Sequence, residues 1–468
     1  VGALAARPWH DEFYTLELAR RPVGEILAAL HLDSGPPGYY LLCRLLHLAG
    51  ADSVRALRLL SVAGVVLGVA LLVLAVRSTP GRWAAAALLA AHPLLLAASL
   101  EARPYGLLFA AAAGAALLLG GRLGGREAVL LGAVLAAACW VHSLGLVLTL
   151  AVVVAAVLLE RRERVRAWAA VLGALVLHLP WFGVMLRQPP ESLEWMASGR
   201  AAMPAWQRVL APVLQPSPVA PRGPFLPLAE LPGPLVAAGL AAWLVLLAGG
   251  LWGASRPRWV FWTWWAVGGG ALVAATALLR PVYAPGRADL ILLPAAVVVV
   301  ASGVGGRFRW DRLLLVGLLL GGLVTCGLTL RSWAAAPPPP AEELAAVLAR
   351  RAAPGDTVVC TGWWYLGLRQ AVGPAEEGLR WRSFPASTLE HPGWYDDALG
   401  LAARGEVAGL ARELARELAA GHGVWLVRTP ALASDRLLEP LVGTLGLEPV
   451  AASPGRWVLF GRGGAPAR

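Results

Sequence analysis

Four short segments of this chain concentrate side chains able to move protons or hold anions. The first is Trp9-His10-Asp11-Glu12. Adjacent carboxylates cannot share one helix face, so each would carry a separate task. One could accept a proton from an attacking hydroxyl while the other holds a metal or a sugar hydroxyl. The competing reading is a solvated loop end, or a helix start with Asp11 as its cap. The second segment runs His31-Leu32-Asp33-Ser34-Gly35-Pro36-Pro37-Gly38-Tyr39-Tyr40. Its Pro pair fixes an extended turn, and Tyr39 and Tyr40 suit the headgroup layer; taken alone it reads as a surface turn before an interfacial helix. The third, Glu101-Ala102-Arg103-Pro104-Tyr105, joins two apolar stretches. Ionisable groups so close to hydrocarbon are costly unless they pair with each other or bind a ligand. The fourth, Arg280-Pro281-Val282-Tyr283-Ala284-Pro285-Gly286-Arg287-Ala288-Asp289, sets two guanidiniums about a Pro-broken turn. Guanidinium is the group that clamps phosphate bidentately, although Arg280 reads equally as a snorkelling side chain. His142 is either a hairpin-tip residue with a satisfied ring or a ligand to a substrate.

The elements that must position these residues are apolar stretches of about membrane length. We expect ten spans, at 54–76, 83–100, 104–120, 127–141, 143–159, 167–187, 233–254, 259–279, 288–305 and 312–330. Basic clusters fill every second gap: Arg77 and Arg82; Arg122 and Arg126; Arg161, Arg162, Arg164 and Arg166; Arg256 and Arg258; Arg307, Arg309 and Arg312. By the positive-inside rule these gaps are cytoplasmic. The other gaps, with Asp11, Glu12, Asp33, Glu101, Arg103, His142, Arg280 and Arg287, then fall together on the outer face, where Arg287 runs against the charge rule. The expectation is one outer pocket that draws on the N-terminal acids and on Arg287.

Composition agrees. The 468 residues are 58% hydrophobic, which marks a polytopic membrane protein, and the family resemblance given below implies the plasma (inner) membrane. The net charge of +11 does not point to nucleic acid. Residues 1–337 carry 27 Arg against 15 acids and residues 338–468 carry 13 against 14, so the excess sits in the membrane half, where it orients the chain and meets anionic headgroups. The scattered Cys43, Cys139, Cys326 and Cys360 offer no disulfide or metal framework.

Three domains are expected: 1–53, an outer loop with interfacial helices and the acidic motif; 54–336, a transmembrane bundle of about ten helices; and 337–468, an extracytoplasmic α/β domain. Residues 188–232, rich in Pro with Trp195 and Trp206, read as a long outer loop. Pro337–Pro340 form a stiff spacer. Beyond it we expect helices at 341–351 and 396–420 and strands at 357–360, 424–427, 449–452 and 457–460. Because the chain opens on Val1 in outer-loop character, a further membrane helix is expected before it.

Taken in order, these segments resemble the GT-C-fold glycosyltransferases that use polyprenyl-phosphate sugars, a group that includes protein O-mannosyltransferases and lipid A aminoarabinose transferases. Asp11-Glu12 is similar to the family's Asp-Glu pair. The Asp33 to Tyr40 segment is similar to its Asp followed by His-Pro-Pro-Leu-Tyr-Tyr, with Gly35 at the His and Gly38 at the Leu. Glu101-Ala102-Arg103-Pro104-Tyr105 resembles its Glu-Ala-Arg-x-Tyr junction, Val141-His142-Ser143 its His-Tyr hairpin, and Pro180-Trp181 its Pro-Trp. Arg287 stands at its Arg-Tyr, with Ala288 for the Tyr.

The resemblance implies an α-helical polytopic GT-C-like bundle with a C-terminal α/β extracytoplasmic domain. It implies an inverting transferase that moves a sugar from a lipid-linked donor to a glycan, lipid or protein acceptor. Asp11, or else Glu12, would be the base. Arg103 and Arg287, with Glu101 and Tyr105, would hold the donor phosphate, and Asp33, Tyr39 and His142 would line the substrate pocket. No cofactor is required, and Asp11 with Glu12 form a candidate divalent-metal pair. The alternatives are a non-enzymatic lipid or polymer transporter and a degenerate binding subunit of a cell-envelope glycan pathway.

Overall fold

The computed structural model describes residues 8–220, 228–251, 256–279, 283–304, 310–336, 340–361, 364–373, 378–390, 397–430 and 432–462. Arg280, Arg307, Arg309 and the prolines at 337–339 lie outside them, as do the side chains of Trp195 and Arg256. The chain divides into two compact units: residues 18–335, and residues 7–17 together with 336–468. The segment 1–53, expected as one domain, is therefore shared between them.

The first helix, α1 (His10–Arg20), is divided at this boundary. Within the larger unit, α2 (Val23–His31) and α3 (Gly38–Leu48) precede the bundle. Arg44 of α3 donates to the carbonyls of Ala19 and Arg20, supplying the partners that the end of α1 lacks. Then come α4 (Val54–Ala75), α5 (Thr79–Ala90), α6 (Pro93–Leu100), α7 (Tyr105–Gly120), α8 (Gly125–Val141), α9 (Leu144–Ala155) and α10 (Arg161–Met185). After α11 (Glu194–Ala201) and α12 (Ala205–Leu214), the bundle resumes with α13 (Gly233–Leu251), α14 (Arg256–Leu278), α15 (Leu293–Gly303) and α16 (Asp311–Ala335).

Among the described residues five helices, α4, α10, α13, α14 and α16, are long and apolar enough to cross a membrane. A sixth span would be the pair α5 and α6, bent by 55°. The expected single span 83–100 is thus broken. Pro93 cannot donate to a helix ladder, and His92 before it is extended, its ring accepting from the Leu94 N–H as a cap. α7, α9 and α15 are apolar but shorter. An apolar outward face is visible on α10, which turns Ala167, Ala170, Ala174 and Trp181 inward while Leu172, Leu175, Val176 and Leu179 are exposed, as a helix facing lipid would be.

Residues 188–232 contain helices where a loop was expected. α12 turns Trp206, Val209 and Leu210 outward. Its C-terminal carbonyls are taken by indoles of the bundle: Trp265 donates to Pro212 O at 2.8 Å and Trp243 to Val213 O at 3.2 Å. A pattern of Pro and Trp conceals such a helix, because the indoles that satisfy it come from elsewhere in the chain.

The helix pair that sets the geometry of the bundle is α4 with α7. They run in the same direction, with Gly64 against Gly106, Gly68 against Phe109 and Ala75 against Gly120. A Cβ on Gly106 would lie 2.4 Å from the Ser61 carbonyl oxygen, so the two backbones meet where no side chain fits.

The smaller unit holds α17 (Pro340–Arg351), β1 (Thr357–Thr361), α18 (Trp364–Val372), β2 (Arg380–Phe384), α19 (Ser387–Glu390), α20 (Asp397–Ala402), α21 (Val407–Ala419), β3 (Val424–Arg428), α22 (Glu439–Leu445), β4 (Glu448–Ser453) and β5 (Trp457–Arg462). Pro340, expected in the spacer, is the first residue of α17, where its missing N–H costs nothing. The sheet order is β2-β1-β3-β5-β4, with β2, β1 and β3 parallel and β5 antiparallel to both β3 and β4. β2 has no counterpart in the sequence reading. It is an edge strand whose Arg380 and Arg382 pair with Glu417 and Glu413 of α21, so its charges hide a strand pattern. Asp356 anchors the sheet by accepting from the Gly423 N–H and the Trp425 indole.

Replacing Gly106 by Leu should force α4 from α7 and destabilise the bundle by about 1–3 kcal/mol. Gly173→Ala, where a Cβ meets nothing within 4 Å, should not. Thermal unfolding of the purified protein in detergent measures the difference.

Candidate functional site

The α4–α7 contact fixes the junction Glu101–Tyr105. The Ser61 hydroxyl donates to the Arg103 carbonyl at 3.0 Å, and the Arg103 N–H donates to the Glu101 carbonyl, folding the junction into a tight turn before α7. Tyr105, at the first position of α7, is buried. Against this turn comes Arg287, 6% exposed. Its Nη2 is 3.9 Å from Glu101 Oε1, and its guanidinium carbon lies 5.7 Å from the centre of the Tyr105 ring. A guanidinium over an aromatic face gains about 0.5–2 kcal/mol, most where water is excluded.

Arg287 is held by its own loop. Ala284-Pro285-Gly286 turns at Gly286, φ 89°, a conformation that favours glycine. Asp289, fully buried, accepts from the Gly286 N–H at 2.6 Å and from the Tyr283 hydroxyl at 2.7 Å. Burial, and the Asp289 carboxylate beside it, push the Tyr283 hydroxyl well above its ordinary range, so it remains a donor. The sequence reading spelled out Tyr283 and Asp289 within this segment and gave neither a role. A carboxylate two residues beyond Arg287 in an otherwise apolar stretch was the available signal.

His142 stacks obliquely on Tyr105, ring centres 5.4 Å apart. Its Nδ1 accepts from the Leu144 N–H at 3.1 Å, which leaves the ring proton on Nε2. Burial, with Arg103 and Arg287 close by, pulls its pKa down to about 3. At neutral pH His142 is therefore an uncharged donor, unsuited to exchanging protons as a base.

Two further predicted residues reach this region through their neighbours. Asp33 Oδ1 accepts from the Ser34 N–H, the Ser34 carbonyl accepts from the Ser143 hydroxyl beside His142, and Gln188 donates to the carbonyls of Leu30 and Gly35. The loop 31–37 is thereby tied to the α8–α9 hairpin. Tyr39 is fully buried beside Ser61 and Cys43. Burial raises its hydroxyl well above the usual range and pushes the Cys43 thiol up to about 12, so both keep their protons. Gly38 has a physical reason: a Cβ there would lie 2.5 Å from the Trp140 carbonyl oxygen. Arg58, which the sequence reading missed, is 1% exposed on α4, one turn before Ser61 on its buried face.

Asp11 and Glu12 belong to the smaller unit. Glu12, not Asp11, takes the role at the helix start: it is fully buried and its Oε2 accepts from the Trp9 N–H at 3.3 Å, while Trp9 O accepts from the Glu12 N–H. Asp11 stays half-buried, with its carbonyl accepting from the Thr15 hydroxyl. Phe13 lies beside Gly367 of α18, and Glu17 is 3.6 Å from Arg369. Among the described residues no three His, Cys, Asp or Glu side chains are placed to hold a metal ion.

No family model matches the chain, and no curated protein does. Solved structures do. ArnT from Cupriavidus metallidurans in the apo state superposes with a TM-score of 0.59 at 15% identity, covering 98% of this chain and 95% of that one. The same protein bound to undecaprenyl phosphate gives 0.60 at the same identity and coverage. The chain has the ArnT fold, a GT-C-type bundle. At 15% identity the likeness shows the fold alone, over an extent that takes in both the bundle and the α/β unit of this chain. Within that fold, Glu101, Tyr105, His142 and Arg287 form one cluster, with Tyr105 and Arg287 buried and Glu101 and His142 half-buried, drawn from the end of α6, α7, the α8–α9 turn and the loop before α15.

The low pKa of His142 makes the fold acid-sensitive. The unfolded ring takes a proton near pH 6.5 and the folded ring only near pH 3, so this contribution is complete above 6.5 and declines as pH falls. Between pH 7 and pH 5 wild type should lose about 2 kcal/mol more stability than His142→Gln, read from paired unfolding curves. Asp289→Ala should cost about 1–3 kcal/mol by leaving the Gly286 N–H and Tyr283 hydroxyl without acceptors.

Proposed function

We propose that this chain is a membrane glycosyltransferase that takes a sugar from a polyprenyl-phosphate donor and passes it to an acceptor hydroxyl at the outer face with inversion. The observation that carries the reading is the buried Arg287, packed on Tyr105 and balanced by Glu101, in a fold shared with a protein solved bound to undecaprenyl phosphate. A guanidinium whose ion pair with Glu101 is as long as 3.9 Å can turn its strong donors to a phosphate.

In this mechanism the acceptor oxygen attacks the anomeric carbon while the bond from that carbon to the phosphate oxygen breaks. Asp11 takes the hydroxyl proton. The bonding electrons pass to the phosphate, and Arg287 with Arg103 stabilises the added charge. Asp11 is favoured over Glu12 because Glu12 is buried with one oxygen engaged at the start of α1. Neutral His142 contributes a hydrogen-bond donor, and Asp33 and Tyr39 belong to the walls of the sugar pocket. The membrane placement of residues 54–336 and the outer placement of residues 337–468 belong to the same proposal. The acceptor is a hydroxyl of a glycan, lipid or protein.

Purified protein should release sugar from undecaprenyl phosphate charged with mannose or aminoarabinose. Asp11→Asn and Arg287→Ala should each lower kcat by about 10²–10³, the usual cost of losing one group that stabilises developing charge. Equal turnover in wild type and both variants would remove the role assignments and the enzymatic reading with them.

A further inference from the structure

At the end of α7 away from Tyr105, the bundle carries a half-open basic cavity, with Arg77 and Ser78 exposed at its rim. The 16 residues of α7 rise about 24 Å, so this cavity is well separated from the cluster around Arg287. Its volume is about 190 Å³, smaller than the roughly 300–1,000 Å³ of sites that enclose a whole organic ligand. Arg77 and Arg258 reach it from the α4–α5 turn and the start of α14. Ser78 and Ser302 add hydroxyls, and Phe261 and Val298 form an apolar wall. None of its described lining side chains is acidic.

The guanidinium of Arg77 is positioned by an Nη2 hydrogen bond to the Gly120 carbonyl, at the end of α7. Ser78 caps α5 by accepting from the Gly81 N–H, which leaves its own hydroxyl proton to donate. The positive end of the α5 dipole therefore faces the same space. Two guanidiniums, a donor hydroxyl and a helix N-terminus form a receptor for a tetrahedral oxyanion rather than for a cation or a neutral group.

The surroundings decide what carries that anion. Trp83 is 74% exposed, Trp259 49% and Trp310 68%, and they lie beside Arg82, Arg258 and Asp311. Exposed indoles next to charged residues mark the level of lipid headgroups. Basic pockets between helices at that level take phosphate-bearing headgroups.

We propose that this cavity binds the phosphate headgroup of an anionic membrane phospholipid, seated between Arg77 and Arg258. With the arginine-rich gaps cytoplasmic, the lipid belongs to the inner leaflet. The site is separate from the donor site and needs no turnover to be observed.

The test is native mass spectrometry of the delipidated full chain titrated with phosphatidylglycerol, with and without inorganic phosphate as competitor. Wild type should retain the lipid. Arg77→Ala and Arg258→Ala should each weaken binding about fivefold, the effect of one guanidinium at a membrane surface. Ser302→Leu, which fills the cavity and leaves both charges, should also weaken it. Arg161→Ala/Arg162→Ala removes two exposed charges that do not line the cavity and should leave binding unchanged. Displacement by millimolar inorganic phosphate would support the anion chemistry and assign it to a soluble phosphate. Wild-type affinity in Arg258→Ala and Ser302→Leu, each folded by its melting curve, would overturn the proposal. So would an equal loss in Arg161→Ala/Arg162→Ala, since attraction would then be diffuse.

Discussion

The contact between α4 and α7 is the constraint on which both charged regions of the bundle depend. Gly64 and Gly106 let the two backbones meet without side chains between them, and the shared direction of the helices carries that contact along the whole of α7. At one end Ser61 holds the Arg103 carbonyl and shapes the turn that presents Glu101 and Tyr105. At the other, Ala75 and Gly120 meet beside the cavity of Arg77 and Arg258. A wider helix separation would loosen both, because each is built on the turns that this contact terminates.

Charge inside the bundle is handled by pairing and by suppressing protonation. Arg287 is balanced by Glu101 and covered by Tyr105, so a cation is kept at low exposure between a carboxylate and an aromatic face. A second positive charge on His142 would face Arg103 and Arg287, and burial already disfavours it, so the ring stays neutral. Asp289 spends its carboxylate on the loop that carries Arg287. Such a cluster is organised before any ligand arrives, which is the condition for fixed dipoles and charges to lower a barrier.

Much of this architecture was legible in the sequence. The apolar runs locate the long helices between 54 and 187 and between 233 and 335, and the charge-alternating C-terminal part reads as an α/β unit, since hydrophobic run length and periodicity are local properties. Breaks with local causes were only partly visible: Pro93 marks the bend in the 83–100 stretch, yet composition alone reads through it. β2 and α12 were missed because their stabilising partners, the acids of α21 and the indoles of α13 and α14, are remote in sequence. The candidate residues Glu101, Tyr105, His142 and Arg287 were each nameable from type and context. Their mutual arrangement was not.

The sequence by itself determined which side chains could carry charge at the ends of apolar helices, and that the chain resembles a sugar-transferring fold. The tertiary structure decided that Arg287 pairs with Glu101, that His142 is neutral, that Glu12 rather than Asp11 serves the start of α1, and that Arg77 and Arg258 share a cavity. The reason is distance along the chain. Helix formation is settled within a few residues, whereas burial, ion pairing and protonation depend on which remote backbones the glycine contacts allow to meet.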